Sequence, residues 1–502
     1  MRPRTMPFTR RPCRRAALVC GLGGLLAVPP AVTAQNPQVL LDFCLENGDH
    51  CAMSIHHVTQ GWERHYNADR LQTTASTYKV FLLLAYADAV SRGEIDPDRL
   101  ITREEWGRFW AGFDGNSLAR AYTRLGEPVT VRLDDLVGAM IRESDNAVSD
   151  LLLDLLGPRA VARSIKRWVP GFHDVPQSIN AIFATYDNHP LEPAIGPRIV
   201  ADYSGFETAG YRSELDFTFA AMHAPAFVEA IRLSRCQYPP WEIVPPGCVP
   251  DFRTNAQTFG LLNNHFFVRA TTRSYNQVML GVLRGDLFPS RMQEVVARHL
   301  EYRLDLPAFS EFTRYGAKGG SLNPLGVRNW TTFVESAETG DQVVVSVQLR
   351  DIVSGSTSFM VALAERMALD PAFAEHVRTS LPEDPELPEL TGWLDRVDVD
   401  PPGKGRALKV TADVRNASPF PVHSQSVVHL YFSDDAVLDP SDVLVSAVAI
   451  PALPGYGTRK VVLSAPRAVA ALPAFVLVVI DAGNTVDEGE ENNNVVWERV
   501  GG

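Results

Sequence analysis

The feature that most constrains the fold is an abrupt change from polar to apolar residues near position 79. The stretch runs Thr74-Ala75-Ser76-Thr77-Tyr78-Lys79 and continues as Val80-Phe81-Leu82-Leu83-Leu84. A polar segment followed by a continuous apolar run predicts a loop that enters a buried helix. Such a helix needs a large core around it, and a chain of 502 residues is long enough for two or three domains with cores of that size.

Ser76 and Lys79 are about one helical turn apart, so their side chains are expected to face the same side of that helix. A hydroxyl beside an amine is a pair suited to acyl transfer, because the amine can take the proton of the attacking hydroxyl. A partly buried lysine can lose its own proton for this purpose, whereas an arginine cannot. The chain has six lysines among its 47 lysines and arginines, and one of them is Lys79. The alternative is a surface lysine, which the apolar neighbours disfavour.

Two further motifs follow Ser76-x-x-Lys79 along the chain. They are Ser144-Asp145-Asn146 and Lys318-Gly319-Gly320. The ordered set resembles the class A β-lactamases and penicillin-binding proteins. The resemblance implies an α+β, β-lactamase/transpeptidase-like fold, in which an antiparallel sheet packs against a helical lobe. We expect this serine hydrolase domain over residues 36–382, where two strands, a block of helices, three strands and closing helices are predicted in turn.

The resemblance also implies a role for each motif residue. Ser76 is the expected nucleophile, Lys79 its proton acceptor, and Ser144 the relay to the departing nitrogen. Lys318 is expected to place a positive charge beside Ser144 and the substrate carboxylate. The backbone N–H groups of Ser76 and Ser321 form the expected oxyanion hole. The residues expected to bind substrate are Asn146, Gly319, Gly320, Ser321 and Arg328.

Several of these residues also have a purely structural interpretation. Ser144-Asp145-Asn146 has the residue types of a helix N-cap. Lys318 fits a lysine that protects the edge of a sheet. Arg328 fits an ordinary surface arginine as well as a partner for a carboxylate.

Two departures from the family pattern bear on activity. Gly319 stands where the family has a threonine or serine hydroxyl. The family's Glu-x-x-Leu-Asn string, whose glutamate activates the water that releases the acyl-enzyme, is absent, and the only glutamate between 150 and 205 is Glu192. We therefore expect acylation by β-lactams or related amides and esters, followed by slow deacylation. The alternatives are a D,D-peptidase or esterase on peptidoglycan-like or other acyl substrates, and a β-lactam-binding protein without turnover.

Residues 1–34 have the pattern of an export signal. Six arginines precede the apolar segment Ala16–Val28, and Val32-Thr33-Ala34 supplies small residues for cleavage. The apolar segment is short for a bilayer span, although an uncleaved anchor is the alternative. We expect a secreted or periplasmic protein with no membrane span after removal of the signal.

Six cysteines are present, and two lie in the expected signal. The even number that remains predicts disulfides in an exported chain, with the local pairs Cys44–Cys51 and Cys236–Cys248 preferred among three connectivities. We expect no metal and no cofactor. The chain has no Cys-x-x-Cys, and the adjacent His56 and His57 point to opposite faces of a predicted strand.

The middle of the chain fits the family pattern poorly, because 174 residues separate Ser144 from Lys318. We place the surplus at about 196–290 and interpret the proline-rich stretch Cys236–Val249 either as a lip of the substrate cleft or as decoration. The net charge of −12 argues against nucleic acid or an anionic membrane as a partner.

The last part of the chain predicts a separate all-β domain. Residues 383–391 are rich in proline and acidic residues and predict a stiff, solvated linker. About seven short strands follow in residues 392–502, which predicts an Ig-like β-sandwich. The stretches Leu430–Asp435 and Asp481–Asn493 resemble the CARDB family of Ig-like adhesion-type modules. The resemblance implies contact with a protein or a cell surface, while the acidic loops fit solvated turns better than Ca²⁺ sites.

Overall fold

The computed structural model describes most of the chain from residue 36 onward. The described residues are 36–110, 116–171, 173–180, 240–241, 268–322, 326–350, 357–384, 387–399, 408–435, 437–465, 472–488 and 494–500. Within these ranges, no helix combines the length and apolarity of a membrane span. The expected signal segment, the Cys236–Cys248 pair and Glu192 lie outside the described residues.

A five-stranded antiparallel sheet forms the centre of the first domain, in the order β2-β1-β9-β8-β7. The strands are β1 Cys51–His57, β2 Trp62–Tyr66, β7 Phe312–Leu322, β8 Val327–Ser336 and β9 Gln342–Leu349. The N-terminal hairpin of β1 and β2 joins the sheet through β1, which pairs with β9 so that Cys51 lies opposite Leu349. Since β9 is central and covered on both faces, it is almost continuously apolar.

Helices cover the two faces of this sheet. They are α1 Gln38–Glu46, α2 Lys79–Ser91, α3 Arg103–Gly107, α4 Ser117–Arg124, α5 Leu133–Arg142, α6 Asn146–Leu156, α7 Pro158–Trp168, α8 Thr272–Arg284, α9 Ser290–Leu300, α10 Thr357–Leu369 and α11 Pro371–Ser380. Side chains of α1, α10 and α11 share one core with Val343 and Val345 of β9, whereas Val344 belongs to the core of the other helices. This alternation along β9 separates the two cores. The predicted α+β, β-lactamase-like architecture is confirmed.

Two short strand pairs lie outside the main sheet. They are β3 Gln72–Thr73 with β6 Arg269–Ala270, and β4 Leu100–Thr102 with β5 Thr130–Arg132. The first pair holds the chain just before Ser76. The segment from residue 268 onward is therefore part of the domain core, and buried α8 packs on the sheet. The last part of the stretch 196–290, where we place the surplus, therefore packs into the domain, and most of the rest of that stretch lies outside the described residues.

Helix α2 is buried on every side from Lys79 to Val90. It contacts α5, α6, α7 and α9, and for this reason its sequence is apolar around the whole helix rather than along one stripe. The disulfide Cys44–Cys51 joins the end of α1 to the start of β1, as predicted.

The C-terminal domain is a two-sheet sandwich, which confirms the predicted Ig-like architecture. One sheet has the order β10-β11-β14, and the other has the order β13-β12-β15-β16. The strands are β10 Leu390–Val399, β11 Leu408–Asn416, β12 Ser426–Ser433, β13 Val443–Ile450, β14 Thr458–Ser464, β15 Phe475–Val479 and β16 Val495–Arg499.

The segment that precedes this sandwich differs from the solvated linker that its composition predicts. The Asp384 carboxylate accepts hydrogen bonds from the backbone N–H groups of Asn67 (2.6 Å) and Ala68 (2.7 Å). Its own N–H donates to the carbonyl of His65 at 2.8 Å. The acidic residues of this segment suggest exposure to water. The Asp384 carboxylate instead satisfies backbone N–H groups of the first domain, which composition does not show.

Candidate active site

Ser76 lies in a short 3₁₀ turn, Ala75–Tyr78, which leads directly into α2. Ala75 has a left-handed backbone with φ of 44°, an uncommon conformation for a residue with a Cβ. The turn is held by Thr74, whose Oγ1 donates to the carbonyl of Val268 at 2.9 Å, and by Thr77 Oγ1, which donates to Thr74 O at 2.5 Å. These contacts maintain a strained backbone beside the serine.

The amine of Lys79 connects three of the predicted site residues. Its Nζ lies 3.3 Å from Ser76 Oγ, 3.1 Å from Ser144 Oγ and 2.5 Å from Asn146 Oδ1. It also donates to the carbonyl of Ser144 at 2.7 Å. Because Lys79 has no exposed surface, these oxygens take the place of water around its amine.

Ser144 bridges the two lysines. Its Oγ lies 3.1 Å from Lys318 Nζ and the same distance from Lys79 Nζ. The backbone of Ser144 is left-handed, with φ of 66°. A hydroxyl between two amines can receive a proton from one side while it passes its own to the other.

Lys318 is buried on β7, and its amine also donates to the carbonyl of Gly319 at 2.6 Å. Burial holds the pKa of Lys318 well below its usual range, and the charges of Lys79 and Arg303 lower it further. A neutral amine is therefore accessible to Lys318 at a pH where an exposed lysine is fully charged.

The motif Ser144-Asp145-Asn146 serves both as a helix N-cap and as part of the site, but through different residues. Asp145 is the N-cap of α6: its Oδ1 accepts from the N–H groups of Ala147 and Val148, and its Oδ2 accepts from Trp106 Nε1 at 2.8 Å. Ser144 and Asn146 instead face Lys79. The N-cap interpretation therefore holds for Asp145, and the cap positions its neighbours on either side.

The two glycines after Lys318 lie in close contacts of different kinds. A Cβ on Gly320 would stand 2.6 Å from the backbone nitrogen of Ser76 and 2.8 Å from that of Thr77. A Cβ on Gly319 would instead meet the Trp330 ring at 2.7 Å. The ring thus explains why no threonine or serine follows the lysine, and Gly320 brings the backbone of β7 against the serine turn.

Ser321 and Arg328 are opposite each other in the β7–β8 register, one residue beyond Gly320. Arg328 donates to the carbonyl of Val327 at 2.8 Å, and partial burial lowers the pKa of its guanidinium. Within the described residues, the structure gives Arg328 no hydrogen bond to the group of Ser76, Lys79, Ser144 and Lys318.

Sequence reasoning missed a buried carboxylate beneath this group. Asp150 accepts from Ser178 Oγ (2.9 Å) and from the backbone N–H groups of Ile179 and Asn180 (both 3.0 Å). Asn180 Nδ2 in turn donates to the carbonyl of Asn146 at 3.2 Å. Burial raises the pKa of Asp150 to about 6. Its position four residues after Asn146, on the same side of α6, is the signal that could have found it.

The fold of the first domain is β-lactamase-like, and an Ig-like module follows it. The family model described as "Beta-lactamase enzyme family" matches residues 38–183, and the CARDB model matches residues 388–498. These matches confirm both resemblances that the motifs indicated. The first match includes Ser76, Lys79, Ser144 and Asn146 and ends before Lys318.

Several solved structures that resemble part of this chain are β-lactamases. A β-lactamase from Chitinophaga pinensis has 14% identity and a TM-score of 0.40, with 67% of this chain and 100% of that chain covered. A β-lactamase from Sphaerobacter thermophilus has 17% identity and a TM-score of 0.36, with 69% and 98% covered. An ancestral class A β-lactamase has 16% identity and a TM-score of 0.37, with 67% and 99% covered. No curated protein matches the chain.

Proposed function

We propose that the protein is a serine hydrolase that is acylated at Ser76 by β-lactams or related amides and esters and that releases the acyl group slowly. The observation that carries the proposal is the continuous contact from Ser76 through Lys79 and Ser144 to Lys318. A nucleophile, a proton acceptor and a proton relay are the parts that acyl transfer to a serine requires.

The geometry supports a specific sequence of proton transfers. Ser76 Oγ attacks the carbonyl carbon while its proton moves to the neutral amine of Lys79. The C–N bond of the substrate then breaks, and the departing nitrogen takes a proton from Ser144 Oγ, which is replenished by Lys79 or Lys318. The Ser76 N–H beside Gly320 is the oxyanion donor that we assign, and Lys318 is the partner for a substrate carboxylate.

We propose slow release because the sequence lacks the family's Glu-x-x-Leu-Asn string, and two carboxylates that the structure describes on α6 are engaged in other hydrogen bonds. Asp145 caps α6 and binds Trp106, and both oxygens of Asp150 hold residues 178–180. Both carboxylates are thus occupied by hydrogen bonds within the fold. Loss of a positioned base costs about 10²–10⁴-fold in rate, so a long-lived acyl-enzyme is the expected product. Because no positioned base is assigned, a protein that binds β-lactams without turnover is the second candidate function.

Intact-protein mass spectrometry during incubation with benzylpenicillin tests the proposal. We expect one adduct that forms quickly and decays slowly, and Ser76→Ala is expected to remove it. Ser91→Ala, at the far end of the same helix, is the matched control and should label like the unmodified protein. A permanent adduct identifies a protein that binds β-lactams without turnover, and assay of D-alanine release from a D-Ala-D-Ala peptide then separates a D,D-peptidase from an inert binder. Labelling by a fluorophosphonate alone identifies an enzyme with another acyl substrate, such as an esterase. Undiminished labelling of Ser76→Ala contradicts the proposal.

We further propose that the protein is exported to the periplasm or the medium and that the CARDB-like module contacts a protein or a cell surface. The Cys44–Cys51 disulfide supports export, since such bonds persist in oxidising compartments. Detection of the chain in a periplasmic or medium fraction, with residues 1–34 removed, tests the first part.

A further inference from the structure

A group of potential metal ligands lies on the first hairpin, among residues that the proposed chemistry does not use. His56 of β1 is opposite Glu63 of β2, and His65 lies two residues beyond Glu63 on the same face. One ligand atom from each of the three lies within 4.8 Å of the others. Alternation does separate His56 from His57, as the sequence predicted, but the neighbouring strand supplies the partners that the sequence argument did not consider.

The tautomer of His56 is fixed by α8. Asn276 Nδ2 donates to the carbonyls of Ser54 (2.8 Å) and Val344 (3.3 Å), which uses both amide hydrogens. The Oδ1 of Asn276 therefore faces His56 Nδ1 at 2.7 Å and accepts a hydrogen bond from its N–H group. The neutral ring then presents an unprotonated Nε2, and this atom lies 2.5 Å from Glu63 Oε2.

A chain of hydroxyls fixes His65 in the same way. Thr272 Oγ1 donates to the carbonyl of Ala68 at 3.2 Å, so it accepts from Ser54 Oγ, also at 3.2 Å. Since the hydroxyl hydrogen of Ser54 is used in the bond to Thr272, Ser54 Oγ accepts a hydrogen bond from His65 Nδ1 at 3.1 Å. The second imidazole thus also presents Nε2 as a lone pair, 3.3 Å from Glu63 Oε2.

Without an ion, the Nε2 atoms of both rings lie within hydrogen-bond or ion-pair distance of the Glu63 carboxylate. In the neutral tautomers set by Asn276 and Ser54, the same positions hold two imidazole lone pairs and a carboxylate oxygen, which is the form that a cation binds. His65 Nε2 is buried and makes no well-aligned hydrogen bond, its nearest acidic neighbour being Glu63, and the residue is 4% exposed. We propose that His56, Glu63 and His65 bind a Zn²⁺ ion, with Asn276 and the Ser54–Thr272 pair as the outer partners that orient the two rings. Two histidines and a glutamate are a ligand set that zinc accepts, and an outer hydrogen bond from the other ring nitrogen is typical of zinc-bound histidine.

The two distances from Glu63 to the imidazoles are close to those in a zinc site. Ligand atoms of a tetrahedral zinc ion lie about 3.3 Å apart, because each metal–ligand distance is about 2.0–2.1 Å. The His65–Glu63 distance already has this value, and the His56–Glu63 distance of 2.5 Å needs to open by less than an ångström. Glu63 can make this adjustment since its side chain is 47% exposed. The nearby guanidinium of Arg273 is paired with Asp69 and does not oppose the ion with an uncompensated charge.

The role that the position indicates is structural. Strand β2 is an edge of the sheet, and the ion joins it to β1. The carbonyl of His65 accepts from Asp384, so the same hairpin also carries the start of the C-terminal segment. A bound ion should therefore stabilise the hairpin on which that segment rests.

Equilibrium dialysis of the full chain against ZnCl₂, after treatment with EDTA, tests the site. We expect one equivalent of zinc by elemental analysis and a rise in melting temperature on addition of zinc. Co²⁺ should give the visible absorption of a tetrahedral site. Glu63→Gln and His56→Gln should each weaken zinc binding by about 100-fold or more, and Ser54→Ala, which touches only the outer partner, by about 10–100-fold.

His423→Gln is the matched control, because this exposed histidine belongs to the C-terminal domain and should leave zinc binding unchanged. Glu63→Gln alters a half-exposed side chain, so its fold is expected to survive and circular dichroism can verify this. Unchanged zinc affinity in folded Glu63→Gln overturns the proposal. So does an unmodified chain that retains no zinc after dialysis, which would identify the three residues as an ion pair of protonated histidines with Glu63.

Discussion

Gly320 of β7 is packed so closely against Ser76 that a Cβ on the glycine would lie 2.6 Å from the serine nitrogen. The neighbouring atoms are backbone atoms of the 3₁₀ turn and cannot rotate away as a side chain can. The edge of the sheet and the turn that contains Ser76 therefore fix each other's positions.

The first prediction concerns this contact. Gly320→Ala should displace the turn and lower the rate of acylation by about 100-fold, because misplacement of a reacting group by about 1 Å has an effect of that size. Stopped-flow kinetics with a chromogenic β-lactam measures the rate. Gly138→Ala is the control, since its new Cβ would meet only His299 at an ordinary 3.5 Å and should leave the rate unchanged. Equal rates for both variants would contradict the prediction.

The second prediction separates the hydroxyl of Ser144 from its backbone conformation. Ser144→Ala and Ser144→Gly both remove the bridge between Lys79 and Lys318, so both should lose acylation by about 10²–10⁴-fold. They should differ in stability, because the left-handed φ of 66° suits glycine. We expect Ser144→Gly to be more stable than Ser144→Ala by about 1 kcal/mol in urea unfolding. A more stable alanine variant would show that the backbone is not strained there.

The third prediction is a pH dependence of acylation. Since burial lowers the pKa of Lys318 from the usual 10.5, its charge is lost at a lower pH than that of an exposed lysine. Acylation by an anionic penicillin should therefore decline as pH rises through this lowered pKa, while a neutral fluorophosphonate should show no such decline. Lys318→Arg keeps its charge and should abolish the decline, even if its rate is lower. A decline that persists in Lys318→Arg would assign the titration to another group.

The same shift fixes the sign of a stability effect. Between the lowered pKa and 10.5, the folded state binds fewer protons at Lys318 than the unfolded state does. The contribution of this group to the free energy of unfolding therefore rises with pH across that window. Comparison of urea unfolding for the unmodified chain and Lys318→Met at several pH values isolates this contribution.

The fourth prediction concerns the C-terminal module. A chain that ends at Leu381 should keep its acylation rate within about threefold, because the contacts among Ser76, Lys79, Ser144 and Lys318 all lie before that residue. It should nevertheless melt at a lower temperature, since it lacks Asp384 on the Asn67–Ala68 backbone and the ion pair between Lys166 and Asp413. Asp384→Ala in the full chain should reproduce part of this loss. A tenfold lower rate in the shortened chain would show that the module shapes the cleft.

Local patterns in the sequence were sufficient to predict the strands β7 to β9, the buried helix α2 and the facing of Ser76 and Lys79. The sequence did not reveal α8, because Arg273 and Asn276 are buried polar residues that obscure its apolar periodicity. Nor did it reveal the cluster on the first hairpin, since the pairing of His56 with Glu63 depends on strand register. Asp384 was misjudged for a related reason: composition cannot show whether a carboxylate faces water or backbone N–H groups of another domain.

The attachment of Asp384 to Asn67 and Ala68 has a consequence for anything that binds the C-terminal module. A module on a flexible tether raises the local concentration of its partner around the catalytic domain, and the size of that effect depends on tether length. Here Asp384 is fastened to the first domain, so the tether begins there and spans only the few residues before Leu390. A partner bound by the module would therefore be held close to the first domain, and lengthening the segment with glycine and serine residues should lower its local concentration around that domain.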